Sequence, residues 1–151
     1  MLPFLTLPFD KLMISLRTSA GKIIAVYSDM GKESTTLGKE GEAIAVQYLI
    51  EHSYQVIDRN YRSQQGEVDI IARDGNFIVF VEVKTYSIGS FGTPLGAVRK
   101  AKKESIIHAA RTYLLKNNIK DINCRFDVLA IYRSWSGLTS YDLIKDAFHV
   151  S

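Results

Sequence analysis

Cysteine is almost missing from this sequence: Cys124 is the only one among 151 residues. That excludes an internal disulfide and any cysteine-based zinc site, and the simplest compartment is a reducing cytoplasm. Cys124 falls in an apolar segment and reads as a buried core thiol. The three histidines, His52, His108 and His149, are scattered, and neither a His-x-x-x-His pair nor a Gly-x-Ser-x-Gly elbow occurs. Zinc-hydrolase and serine-hydrolase chemistry therefore have no foothold. No hydrophobic run approaches the length of a membrane-spanning helix, so no membrane partner is expected. Repeats and low-complexity tracts are also lacking. Charge of one sign is not in excess either: 19 Lys and Arg against 16 Asp and Glu leave +3. That balance tolerates nucleic acid without resembling a histone-like tail.

The length suits one domain with a core large enough to fold unaided. Residues 1–30 show no sustained period. They are expected to form a poorly structured extension ahead of a single domain at 31–151. Ser34-Thr35-Thr36 offers capping hydroxyls for a helix from about Leu37 to His52, with Glu40 and Glu42 early in it. Strands follow at about Tyr54 to Asn60 and Glu67 to Arg73, separated by a polar loop at Arg62 to Gly66. Asp74-Gly75-Asn76 is a hairpin signal, leading into a strand through Thr85. A Gly- and Ser-containing loop precedes a helix over roughly Ala97 to Asn117, whose apolar stripe is Ile106, Ala109, Ala110, Tyr113 and Leu114. Strands at Cys124 to Tyr132 and Thr139 to Ile144 complete the order α-β-β-β-α-β-β. The fold class is α/β (α+β): a mixed sheet flanked by helices, with one parallel pair made by the crossover helix.

The chemistry concentrates in Phe80-Val81-Glu82-Val83-Lys84. Alternation puts Glu82 and Lys84 on one face of a strand, roughly 7 Å apart, with Val81, Val83 and Thr85 on the other. Burying an unpaired charge costs several kcal/mol, so the pair needs a reason. Glu67 and Asp69 alternate with Val68 and Ile70 on the preceding strand, and the short hairpin brings Asp69 within one or two positions of Glu82. Two close carboxylates must either share a proton or share a cation. Oxygen-only ligation completed by water and phosphate suits Mg²⁺. Lys84 beside such a site would orient or deprotonate a water, or stabilise negative charge on phosphorus. Taken singly, Glu-x-Lys is an ordinary solvated ion pair and Gly-Glu-Val-Asp an ordinary strand entry. Their combination on adjacent strands points to metal-assisted phosphodiester hydrolysis.

Lys102 lies one turn before Ile106 on the sheet-facing stripe of the second helix, where it can snorkel to solvent or reach the cleft. Arg99, Lys100 and Lys103 surround it. This cluster is suited to phosphate, or is simply a solvated basic face, the reading favoured for Lys100. Arg62 and the loop from Ser87 to Gly92 are candidates for positioning substrate. Asp127 is placed to neutralise Arg125 or Lys84.

Asp69, twelve intervening residues, then Glu82-Val83-Lys84 resembles the Asp…Glu-x-Lys signature of restriction-endonuclease-like nucleases. More closely, the chain resembles the YraN-type family of predicted endonucleases, distant relatives of archaeal Holliday junction resolvases. The matching pieces are Gly38-x-x-Gly41-Glu42, Asn60-x-Arg62, Gly66-Glu67-Val68-Asp69, Val81-Glu82-Val83-Lys84, Phe91-Gly92, Lys102, Arg125-Phe126-Asp127 and Ala147-Phe148. The resemblance implies a restriction-endonuclease-like core and a DNA-cutting hydrolase, with branched or damaged DNA as candidate substrates. It implies Mg²⁺ or Mn²⁺ held by Asp69, Glu82 and the Val83 backbone carbonyl, with Lys84 as catalytic lysine. Glu42 corresponds to a glutamate that resolvase-like enzymes bring to the same cleft; otherwise it is a dipole-favoured first-turn residue. Where the family carries an arginine this chain has Tyr86, which can stack on a base or pack locally but cannot grip phosphate bidentately. A homodimer would allow two strands to be cut symmetrically. The alternative is the same fold kept as a nucleic-acid-binding module without turnover.

Overall fold

The computed structural model describes residues 11–17, 23–87 and 98–150, with side chains over 38–87 and 98–150. The chain divides into two compact units, Met1–Lys39 and Glu40–Ser151. In the first, β1 (Lys11–Arg17) and β2 (Ile23–Asp29) pair antiparallel, from Lys11 opposite Asp29 to Arg17 opposite Ile23. Both strands lie within the stretch 1–30 expected to be an extension, whose other residues up to Asp29 fall outside the described ones. The seven residues from Lys11 carry Leu12, Ile14 and Leu16 at a strand's period of two, over a window too short to register as a sustained pattern.

Helix α1 runs Met30–Glu51 and its part from Glu40 belongs to the second unit. It starts about two turns before the expected boundary, so Ser34, Thr35 and Thr36 lie within the helix rather than capping it. Such residues are only mildly unfavourable inside a helix, and a local hydroxyl signal does not fix where the helix begins.

The second unit is built on a five-stranded mixed sheet. Its strands are β3 (Gln55–Ser63), β4 (Gly66–Asp74), β5 (Phe77–Ser87), β6 (Asn123–Arg133) and β7 (Thr139–Ile144), in spatial order β3-β4-β5-β6-β7. All neighbours are antiparallel except β5 and β6. Helix α2 (Lys100–Lys116) lies in the crossover between that parallel pair. The order from α1 onward is the α-β-β-β-α-β-β expected of a nuclease-like α/β core. The β4–β5 hairpin closes on Asp74 opposite Phe77, with Gly75 at φ 58 supplying the positive dihedral. The β3–β4 hairpin is equally tight: Ser63 pairs Gly66, so Arg62 stands in a strand opposite Glu67 rather than in a loop.

Apolar residues on the two faces of the sheet form two cores. Under α2, Ile106, Ala109, Ala110 and Tyr113 pack with Ile78, Phe80, Phe126 and Val128. Under α1, Ala45 and Leu49 pack with Val79, Val81, Leu129 and Ile131. The β5 sequence therefore alternates strictly between helices, and continuing it puts Glu82 and Lys84 on the α2 face and Thr85 on the α1 face. Gly41 fits that assignment, since a Cβ there would run into the Thr85 hydroxyl.

Gly66 has a stricter role. A Cβ at this position would run into the Ser105 carbonyl oxygen and come within 2.7 Å of its carbon. Only glycine lets the start of β4 lie this close to α2. Gly66→Ala is expected to lower stability by about 2–3 kcal/mol, the cost of overpacking against backbone, read as a shift in the denaturation midpoint. An unchanged midpoint would contradict this packing.

Cys124 is exposed, not buried as its apolar neighbours led us to expect. It sits second in β6, at the end of the strand, where the buried run has not yet begun. Among the described residues no helix is long and apolar enough to cross a membrane.

Candidate active site

The β4–β5 ladder pairs Ile70 with Val81, and Asp69 stands next in line opposite Glu82. Past this point a side chain takes over from the backbone: Val83 N–H donates to Asp69 Oδ2 at 2.8 Å. The sheet is distorted on the other side of Asp69 as well. Asn60 adopts φ 51 between the pairs Arg59–Ile70 and Tyr61–Val68. In consequence Val68 joins the core under α2 while Ile70 joins the core under α1. The expected simple alternation through Val68-Asp69-Ile70 does not hold. Asp69 instead turns its carboxylate toward the β5 backbone, beside Glu82.

Glu82 is 2% exposed, one of two buried charged residues among those described. Lys84 Nζ lies 3.0 Å from its Oε1. Lys102 Nζ, from the first turn of α2, lies 3.4 Å from its Oε2. That contact does not make a hydrogen bond, and Oε2 has no hydrogen-bond partner. Burial, and next the charge of Asp69, push the Glu82 carboxyl up to about 7, although Lys102 and Lys84 pull the other way. The cluster thus sets two neighbouring carboxylates, and a buried Glu82 oxygen without a hydrogen bond, between two ammonium groups.

Glu67, which the strand pattern alone did not single out, completes the cluster. Its Oε1 accepts from Lys102 Nζ at 3.0 Å, and Arg62 Nε lies 3.7 Å from its Oε2. The Lys102 hydrogen bond, with that lysine's charge, holds the Glu67 carboxyl below its ordinary range. Burial works against the charged form of Lys102, but Glu82, Glu67 and Asp69 outweigh it and raise its pKa. The Glu67 N–H donates to Ser105 Oγ at 3.3 Å, tying β4 to α2 beside Gly66. The available signal was position: Glu67 is two residues from Asp69 in the same short motif.

The structure therefore gathers Asp69, Glu82, Lys84, Lys102 and, through Glu67, Arg62. Glu42 makes no polar contact to this cluster among the described residues; its helix, α1, packs through Ala45 and Leu49 on the other face of the sheet. Nor do three His, Cys, Asp or Glu side chains group as metal ligands among the described residues. The protein side of a cation site would thus be Asp69, Glu82 and the Val83 carbonyl named from the resemblance. Glu82 Oε2, which accepts no hydrogen bond, and the second oxygen of Asp69 fit that role.

Tyr86, Lys103 and Arg99, expected at nucleic acid, make no polar contact to this cluster among the described residues. The Tyr86 ring stacks on Tyr132 with centroids 5.3 Å apart, so this face of the ring is taken up internally. Lys103 Nζ lies over the Phe148 ring at 5.7 Å, directing it along the helix flank toward the C-terminal segment. Arg99 caps α2 through its backbone alone and is exposed. Of the loop from Ser87 to Gly92, only Ser87 lies within the described residues. Asp127 pairs with Arg125, not Lys84, through Arg125 Nε at 2.8 Å.

Comparison with known proteins places this arrangement in a family. The model of the uncharacterised protein family UPF0102 matches residues 41–131, a span holding Glu67, Asp69, Glu82, Lys84 and Lys102. A UPF0102 protein of Geotalea uraniireducens is 45% identical over 119 residues, covering 79% of this chain and 94% of the relative. One from Geobacter metallireducens is 43% identical over 123 residues, covering 81% and 99%. Another, from Acetivibrio thermocellus, is 43% identical over 116 residues, covering 74% and 89%. The chain belongs to the UPF0102 family.

Proposed function

We propose that this protein is a metal-dependent endonuclease that hydrolyses phosphodiester bonds of DNA, with Mg²⁺ or Mn²⁺ held by Asp69, Glu82 and the Val83 carbonyl. The observation that carries the reading is the buried Glu82 carboxylate, facing Asp69, with one oxygen lacking a hydrogen bond. A purely structural ion pair gains nothing from a buried oxygen without a hydrogen bond, which costs about 1–3 kcal/mol, and Lys102 Nζ faces this one at 3.4 Å as a charge alone. A bound divalent cation would supply Lewis acidity and lower the pKa of a water.

In hydrolysis a water oxygen adds to phosphorus, the bond to a sugar oxygen breaks, and that oxygen leaves with a proton. Asp69 is fixed for ligation because its Oδ2 is anchored on the Val83 N–H, leaving the other oxygen for the cation. Lys84 is held beside Glu82 yet remains 30% exposed, so its ammonium can meet an incoming phosphate. There it orients the water and offsets charge building on the phosphate oxygens. Arg62, mostly exposed at the rim, is placed for sequence-independent backbone contact.

The test is cleavage of linear, flapped and four-way-junction DNA with Mg²⁺, Mn²⁺ or EDTA. Cutting is expected with either metal and none with EDTA. Lys84→Ala should lose cutting by about a hundredfold or more while DNA binding stays within about threefold. A wild-type protein that binds DNA yet never cuts it, whichever metal is added, would leave the non-catalytic binding module as the better reading.

A further inference from the structure

Lys102 and Glu67 make a linked pair at the edge of the site, and the reaction above does not use it. The Lys102 ammonium gives its hydrogen bond to Glu67 Oε1 at 3.0 Å and faces Glu82 Oε2 at 3.4 Å without one. The two carboxylates differ sharply in setting. The Glu82 side chain is 3% exposed and the Glu67 side chain 49%. Lys102 itself hangs on a flexible four-carbon stem, so its charge can move between two acceptors without moving α2.

We infer that Lys102 stands in for the divalent cation at Glu82 Oε2 in the metal-free protein, and that Glu67 is the positioning residue that receives this ammonium when metal binds. The inference rests on the metal-dependent reading of the site. Mg²⁺ binds carboxylate oxygen at about 2.0–2.1 Å. An ammonium 3.4 Å from the same oxygen would then lie within about 5.5 Å of the metal, where repulsion in a buried setting is poorly screened. The lysine must leave Oε2, and its existing bond to Glu67 gives it a partly solvated carboxylate to rest on. Arg62, 3.7 Å from the other oxygen of Glu67, keeps that carboxylate oriented. Glu67 and Lys102 thereby set how tightly the site takes its metal, without being ligands themselves.

Mn²⁺ titration of the full chain without DNA, by calorimetry at pH 8, tests this. Lys102→Met is expected to tighten Mn²⁺ binding about tenfold, and Lys102→Gln to do the same should the methionine variant fold poorly. Glu67→Gln is expected to weaken binding about three- to tenfold. In the Lys102→Met background Glu67→Gln should change affinity less than about twofold, because the ammonium it restrains is gone. Lys100→Met, on the same helix but with its side chain 92% exposed, should have no effect. Equal affinity of wild type and both Lys102 variants would overturn the inference while leaving the metal reading standing. So would a Glu67→Gln loss of the same size in both backgrounds, which marks a general field effect. Failure of every variant to bind Mn²⁺, or undiminished binding by Glu82→Ala, would overturn the metal reading and the inference with it.

Discussion

Glu82→Gln is expected to make the metal-free protein more stable at pH 8 while reducing DNA cutting by about a hundred- to a thousandfold. The stability half follows from linkage. Burial and Asp69 raise the Glu82 carboxyl to about 7 in the folded chain, against an ordinary value near 4.5 in the unfolded one. A raised pKa means that the folded state prefers the protonated form. Its stabilisation is complete below pH 4.5 and is lost as pH rises to about 7. At about 1.36 kcal/mol per pH unit the loss is on the order of 3 kcal/mol, with the lysine contacts already counted against it. Glutamine keeps the shape of the neutral acid and carries no charge, so it escapes that loss. Melting curves at pH 5 and pH 8 provide the check. Wild type and variant should lie close together at pH 5, and the variant should melt several degrees higher at pH 8. Mn²⁺ should then raise the wild type and leave the variant unmoved. A variant less stable than wild type at pH 8 would mean that Lys84 and Lys102 outweigh burial, and the site would be a structural ion pair. The activity half follows from removing a ligand charge that the reaction needs.

Asp127→Ala is expected to cost about 3–5 kcal/mol of stability. Asp127 is fully buried. It accepts from Arg125 Nε at 2.8 Å, Arg125 Nη2 at 2.9 Å, the Tyr54 hydroxyl at 3.3 Å and the Asp146 N–H at 3.0 Å. Arg125 also donates to Asp74 Oδ2 at 2.7 Å and to the Tyr54 hydroxyl at 3.0 Å, and lies over the Phe77 ring. One carboxylate thus joins the opening of β6 to the β4–β5 hairpin and to the segment after β7. Alanine would leave the guanidinium, whose side chain is 11% exposed, with Asp74 as its remaining carboxylate partner, and would take the acceptor from the Asp146 N–H. Denaturant midpoints for Asp127→Ala, Arg125→Met and the double variant check the argument. The double should be less destabilised than the sum of the singles by about 1–3 kcal/mol, since it leaves no charge behind. Additive losses would show that the two residues do not act as a pair. Asp127 and Arg125 alternate onto the α1 face of the sheet, away from Glu82, so metal affinity of the folded fraction should not change.

Much of the fold could be read from local pattern. The β-rich run ending in Lys84, the Asp74-Gly75-Asn76 turn and the stripe Ile106, Ala109, Ala110 and Tyr113 all carry periods of two or 3.6 that survive in the structure. Lys102 was legible for the same reason, being one helical turn before Ile106. Boundaries were less so. Helix α1 begins at Met30 despite the capping hydroxyls at Ser34 to Thr36, and β1 and β2 arise in a stretch with no sustained period. Cys124 was misplaced because strand pattern shows which residues alternate, not how far along a strand the covering helix reaches.

From its residues alone, this chain already determines that Glu82 and Lys84 share a face and that Asp69 lies across a short hairpin. Those are consequences of strand alternation and turn length, which are properties of nearby residues. Tertiary structure decided the rest. It turned the Asp69 carboxylate onto the Val83 N–H, brought Lys102 and Ser105 of α2 against Glu67, and closed Tyr86 onto Tyr132. These contacts depend on how closely a helix approaches a sheet and in what register. That is settled by packing between distant segments, here by a glycine at position 66 whose missing side chain makes room for the Ser105 backbone.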